Sequence, residues 1–279
     1  MKIDFNKSIF ENKQTKSTPF LVAHRGVNGA NVPCNTILAY KAAVDQGADV
    51  VEIDVTKSKD GEYFVFHPGM EPVFLKCGKY IPDMTAKEVS ETPLLNLDEV
   101  KTHYRVPLLK DVLSFLKGKV YINVDKFWTD VKGISEVIRQ CGVEKQVIVK
   151  TPVENEYFIQ VEKYAPDMMF MPMTRHNDEV TEIFKTRNIH HIGVEALFDS
   201  LDDEIASPEY IKKMHDSGLL VWSNSIVYNE ADVISAGLTD DISLEKGGEF
   251  GWGKLADIGF DFIQTDWLLA VKDYLNNRK

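Results

Sequence analysis

Two histidines, an arginine and two carboxylates fall in one short stretch near the start of this 279-residue chain. His24 and Arg25 follow one apolar run, Glu52 and Asp54 lie inside a second, and His67 follows a third. A histidine pair supplies general acid and base near neutral pH. Carboxylates gathered at one point hold a hard cation through oxygen. A guanidinium grips two non-bridging phosphate oxygens at once. These are the residue types that metal-assisted cleavage of a phosphodiester needs.

Strand parity places them. In Val51-Glu52-Ile53-Asp54-Val55 the two acids share one face and the apolar residues the other. The run 120–125 repeats the pattern, with Val120, Ile122 and Val124 on one face and Tyr121, Asn123 and Asp125 on the other. Glu52, Asp54 and Asp125 at the ends of adjacent strands make an oxygen cage suited to Mg²⁺ or Ca²⁺. With no thiolate or multiple-histidine set, it is a poor structural zinc site. Lys59-Asp60-Gly61-Glu62 is a turn signal, so Tyr63–His67 should return antiparallel and bring His67 roughly opposite Asp54. Lys150 shares the inward parity of Ile148 and adds charge for a phosphate, or serves only to neutralise interior acids. Lys126 follows Asp125 directly and needs the strand to end or twist there; parity favours Lys150 of the two.

Apolar runs at 20–24, 49–55, 120–125, 146–150, 168–173, 190–196, 219–224 and 260–266 alternate with helical patterns at 36–46, 107–117, 130–141, 154–165, 177–187, 208–217 and 267–276. A last crossover ends near 252–258. Asn35 suits the N-cap of the first helix and Gly47 its C-terminus. Such alternation implies a parallel sheet with helical crossovers, closed as a (β/α)₈ TIM barrel with a β-hairpin arm. An open doubly wound sheet is the runner-up, and no G-x-G-x-x-G turn supports it. Residues 1–19 read as a polar lead-in and 20–279 as one domain, with 68–106 a small cap insertion over the mouth.

A formal net charge of −11 argues against nucleic acid or an anionic membrane as a bulk partner. A small-molecule anion would be drawn in by local cations or a bound metal. Cys34, Cys77 and Cys141 show no paired close spacing and fit reduced thiols. No apolar run is long enough for a transmembrane segment or marks a leader, so a cytoplasmic protein is expected, although a secreted one whose leader had been removed would read alike. Oligomeric state is not legible.

The motifs Val22-Ala23-His24-Arg25-Gly26, Asn35-Thr36, Glu52-Ile53-Asp54 and the returning His67 resemble those of the glycerophosphodiester phosphodiesterase family. Tyr121–Lys126, Val221-Trp222-Ser223-Asn224 and Ile263-Gln264-Thr265-Asp266 are similar to its later strands. The resemblance implies hydrolysis of deacylated phospholipids to glycerol 3-phosphate and an alcohol, with a divalent cation. Carried over by position, His24 and His67 match the acid/base pair, Glu52, Asp54 and Asp125 the metal ligands, and Arg25 the phosphate contact. Lys126 and Trp222 match further substrate contacts, while a residue such as Trp222 is more often core than ligand stacking. The chain departs from the family at Cys34, where a glutamate is usual, at Pro68, where an aspartate is usual, and at Asp125, where glutamate is commoner. Two rivals follow: a lipid phosphodiesterase acting on intact phospholipids, suggested by Met70, Phe74, Tyr80, Ile81 and Met84, and a phosphate-ester-binding barrel that has lost catalysis.

Overall fold

Apolar runs rich in Val, Ile and Phe become strands wherever both of their faces find apolar cover. The computed structural model describes residues 3–176, 180–227, 229 and 231–278. The chain lays down β1 (Phe20–Ala23) and β2 (Val50–Lys57), then β3 (Tyr63–Val65), which returns antiparallel to β2. A two-stranded pair follows, β4 (Pro93–Leu95) and β5 (Lys101–Arg105). The rest are β6 (Tyr121–Asp125), β7 (Val147–Pro152), β8 (Met169–Thr174), β9 (Gly193–Ala196), β10 (Leu220–Asn224) and β11 (Phe262–Thr265). Eight of these pair in parallel in the order β1, β11, β10, β9, β8, β7, β6, β2, and β1 also pairs with β2, so the sheet closes into a (β/α)₈ barrel.

Parity splits the core as the alternation predicts. Val51, Ile53, Val55, Ile122 and Val124 pack outward under the helices. Phe20, Val22, Val50, Tyr121, Ile148, Met171, Trp222 and Phe262 fill the interior. Gly47 ends the helix Ile37–Gln46 in the left-handed region, at φ 85°. Of the helix expected over 177–187, residues 177–179 lie outside the described ones, and Val180–Phe184 is helical.

Two segments differ from the sequence reading. Residues 3–19 are more than a polar lead-in: helix Ile9–Gln14, with a Ser8/Glu11 capping box, closes the base of the barrel. Ile9 is buried there, with Ile3, Phe5 and Phe10 against the interior cluster, and Asn12 donates to the Tyr121 hydroxyl at 2.9 Å. Four scattered apolar residues make no periodic signal, yet the open end of a barrel must be covered. The insertion 68–106 builds its own core, in which Leu75, Ile81, Met84, Val89 and Leu94 pack on Phe64 and Phe66. Ile81 and Met84 are thus consumed internally, and no residue of this segment lines the mouth pocket described below. Among the described residues no helix is long and apolar enough to cross a membrane.

His191 sits at the far end of the barrel from the strand termini, against the Phe184 ring (centroids 4.5 Å apart), and burial lowers its pKa to about 4. The stability this neutral imidazole contributes is present above its ordinary 6.5 and is lost as pH falls through about 4. Urea unfolding from pH 7 to 4 should therefore show a flatter decline for His191→Leu than for the wild type. Ile9→Ala should cost about 2–5 kcal/mol in the same assay while leaving mouth chemistry intact.

Candidate active site

The register of β2 against β6 sets Glu52 beside Asn123 and Asp54 beside Asp125. Oxygens of Glu52, Asp54 and Asp125 thereby come within 4.8 Å of one another. Glu52 and Asp54 are 3% and 1% exposed, a costly placement for charge. Burial first, then the neighbouring Asp54 and Asp125, push the Glu52 carboxyl well above the usual carboxylate range. The Arg25 backbone N–H reaches Glu52 Oε2 at 2.9 Å. Arg25 Nε lies 2.9 Å from Asp54 Oδ2 but out of line for a hydrogen bond, so that contact is one of charge. Asp54 Oδ1 is buried with no hydrogen-bond partner. An all-oxygen cluster with an orphaned buried oxygen fits a hard divalent cation.

Lys126 answers the geometric question posed by its position. It adopts φ 60°, which ends β6 and turns its ammonium back to Asp125 Oδ2 at 2.8 Å. Burial would raise the Asp125 pKa, and the Lys126 charge and hydrogen bonds outweigh it, leaving the carboxyl below its ordinary value.

Asn35 is not the N-cap expected of it. Thr36 caps the helix, its hydroxyl accepting from the Ala39 N–H at 3.3 Å. Asn35 instead takes φ 56°, donates to Asp54 Oδ2 at 2.9 Å and accepts from the buried Tyr40 hydroxyl at 2.7 Å. Beside it, burial pushes the Cys34 thiol up to about 12, which disfavours the thiolate.

Both histidines line one pocket of about 250 Å³ with Glu52 and Asp125. His24 leaves β1 with Nδ1 2.8 Å from Asp266 Oδ1, just past β11. A carboxylate at Nδ1 fixes the ring proton there and leaves Nε2 free. In the sequence Asp266 stands out only as the end of a motif; its contact with His24 needs the closure of β11 on β1. The hairpin register sets Phe66, rather than His67, across from Asp54, and the Phe66 N–H donates to the Asp54 carbonyl at 2.9 Å. His67 still swings its Nε2 to 4.0 Å from Asp54 Oδ1. Both of its ring nitrogens are buried without a partner, and burial lowers its pKa.

Lys150 is 2% exposed, with Nζ 2.9 Å from Glu195 Oε2 and 3.2 Å from the Trp222 ring centroid. Asn224 donates to Glu195 Oε1 at 2.8 Å. Glu195 is thus tied into the pocket floor. Trp222 corrects its expected role as a substrate contact: fully buried and stacked on Phe262, it supports Lys150 from below and is absent from the pocket lining. Across the barrel, Met173, Leu197, Ile226 and Ile234 form an apolar wall, and Arg175 pairs with Asp199 and Asp232 at the rim.

Asn35→Ala should release Asp54 and leave the Tyr40 hydroxyl buried and unpaired. Calorimetry with Mg²⁺ and Ca²⁺ should show cation affinity about ten- to a hundredfold weaker than wild type. Equal affinity would mean that Asn35 does not set the Asp54 carboxylate.

A family model described as "Glycerophosphoryl diester phosphodiesterase family" matches residues 24–224. A glycerophosphodiester phosphodiesterase of Arabidopsis thaliana is 45% identical over 265 residues, covering 76% of this chain and 67% of that one. One from Caldanaerobacter subterraneus is 31% identical over 157 residues, covering 53% and 63%. The chain spans 57% and 63% of the length of the first two curated relatives it matches. A crystal structure of a glycerophosphoryl diester phosphodiesterase from Parabacteroides distasonis shares the fold, with TM-score 0.77 at 17% identity over 99% of this chain and 93% of that one. With its signature strands gathered around a single mouth, the chain belongs to the glycerophosphoryl diester phosphodiesterase family.

Proposed function

We propose that this protein hydrolyses small glycerophosphodiesters to glycerol 3-phosphate and an alcohol, using His24 and His67 for proton transfer and a divalent cation held by Glu52, Asp54 and Asp125. The observation that carries the reading is two differently prepared imidazoles on one pocket with a buried acid cluster: His24 braced by Asp266, His67 with both nitrogens unpartnered. When bound, Mg²⁺ or Ca²⁺ supplies charge neutralisation at the phosphate. Arg25, and Lys126 beside the acids, add positive charge on the same side, while Lys150 and Glu195 form a polar floor for hydroxyl groups.

Proton bookkeeping then follows from the Asp266 contact. The Asp266 carboxylate on Nδ1 orients the His24 ring and leaves Nε2 to protonate the leaving alcohol as the P–O bond breaks. His67 takes the proton from the attacking oxygen as the new P–O bond forms. That oxygen belongs to water or to the substrate's neighbouring hydroxyl; a transient cyclic phosphate would identify the latter.

His24→Ala and His67→Ala should each lower turnover about 10²–10⁴-fold with the fold retained by circular dichroism. A p-nitrophenyl leaving group needs no protonation, so that ester should recover much of the loss in His24→Ala and little in His67→Ala. Wild-type rates in both variants would sink the assignment. Chelator should abolish activity, with Mg²⁺ or Ca²⁺ restoring it; phosphate-ester binding with no alcohol release at any metal would instead favour a non-catalytic barrel.

A second reading rests on Met173, Leu197, Ile226 and Ile234, which face the charged side across the mouth. An aliphatic wall favours a substrate carrying an alkyl or acyl group, and hence a lipid phosphodiesterase. Higher kcat/KM on micellar phospholipid than on glycerophosphoethanol would select it.

A further inference from the structure

A buried carboxylate that no step above uses holds the β10–β11 side of the mouth. Asp240 is 3% exposed and opens the helix Asp240–Lys246. Its two oxygens are engaged unequally. Oδ1 receives Ser225 Oγ at 2.7 Å, Trp252 Nε1 at 2.7 Å and Thr265 Oγ1 at 2.8 Å. Oδ2 accepts one bond, from the Asp266 backbone N–H at 2.9 Å. The Thr265 hydroxyl in turn accepts from the Trp267 N–H at 2.9 Å, so three successive residues after the middle of β11 are tied to this one carboxylate. Such an arrangement needs an acceptor with two free oxygens and no hydrogen of its own.

What it fixes is otherwise loosely held. The Asp266 side chain is 42% exposed, and its hydrogen bond is to His24 Nδ1 at 2.8 Å. An exposed aspartate has several open rotamers, and only its backbone position limits which of them reaches the imidazole. We propose that Asp240 is a positioning residue for His24: by clamping the Asp266 backbone it aims that carboxylate at the ring. The inference rests on the reading above in which His24 moves a proton. Its rival is a structural role, in which Asp240 merely pins Ser225 after β10 to Thr265 and the Trp252 helix.

Asp240→Asn separates the two. The amide oxygen keeps the three donors at the Oδ1 position, and the amide nitrogen then meets the Asp266 N–H donor to donor. The pin between β10 and β11 is retained, and only the Asp266 contact turns repulsive. Kinetics of the metal-loaded enzyme on an alkyl glycerophosphodiester should show kcat about ten- to a hundredfold lower, with KM little changed. In an Asp266→Ala background the same substitution should have no further effect, because the residue it acts through is gone. The loss should also shrink on the p-nitrophenyl ester. Ser225→Ala, a milder loosening of the same clamp, gives a second cycle should Asp240→Asn fail to fold; its smaller effect should likewise vanish with Asp266→Ala. Wild-type kcat in folded Asp240→Asn, or an equal factor with and without Asp266 in either cycle, overturns the proposal. If Asp266→Ala and His24→Ala themselves turn over normally, it is the role of His24 that fails instead.

Discussion

Three carboxylates gathered at the end of two adjacent strands are the constraint around which this barrel is organised. Like charges that close in a dry setting repel strongly unless opposite charge and donors surround them. The chain supplies part of that compensation from every side. Arg25 comes from the end of β1, Lys126 from the end of β6, the Asn35 amide from just before the helix Ile37–Gln46, and a backbone N–H from Arg25 itself. Arg25, Asn35 and Lys126 all take positive φ, at 56°, 56° and 60°. Non-glycine residues pay for that conformation only where their surroundings enforce it. Here each turns a side chain or an amide toward the acids. That compensation is incomplete: one Asp54 oxygen stays buried without a hydrogen-bond partner.

The seam that closes the barrel also orients the His24 imidazole. β1 pairs with β11 through Ala23 and Thr265, so the next residues, His24 and Asp266, emerge side by side. Barrel closure and the histidine–aspartate contact are therefore one structural event. At the opposite wall, Met173 of β8, Leu197 just after β9, and Ile226 and Ile234 beyond β10 divide the mouth into a charged side and an aliphatic side. The base is closed separately by the N-terminal helix, so stability and chemistry are drawn from opposite ends of the barrel, as the parallel arrangement of strands permits.

Local pattern determined a great deal. Alternation of eight apolar runs with helical stretches carried the barrel, because a parallel strand covered on both faces must be apolar throughout and a crossover must be helical. Period-two parity put Glu52, Asp54 and Asp125 on inward faces, and the Lys59–Glu62 turn brought His67 to Asp54, off by one residue in backbone register but correct in neighbourhood. These features depend on neighbours in sequence or on one strand pairing.

What remained hidden depended on contacts between distant segments. Asn35 looked like a helix cap because Asn is favoured there, and only the packing of the loop after β1 over β2 showed it serving Asp54. Trp222 carried a motif, yet interior packing placed it beneath Lys150 and out of the pocket. The helix at the polar start of the chain gave no periodic signal, because a few scattered apolar residues mean nothing until the surface they cover is known. Sequence alone settled which residue types face inward, since that follows from backbone geometry. Tertiary structure decided which of them meet, since hydrogen bonds such as those of Asp266 and Asp240 join residues that only the closed barrel brings within reach.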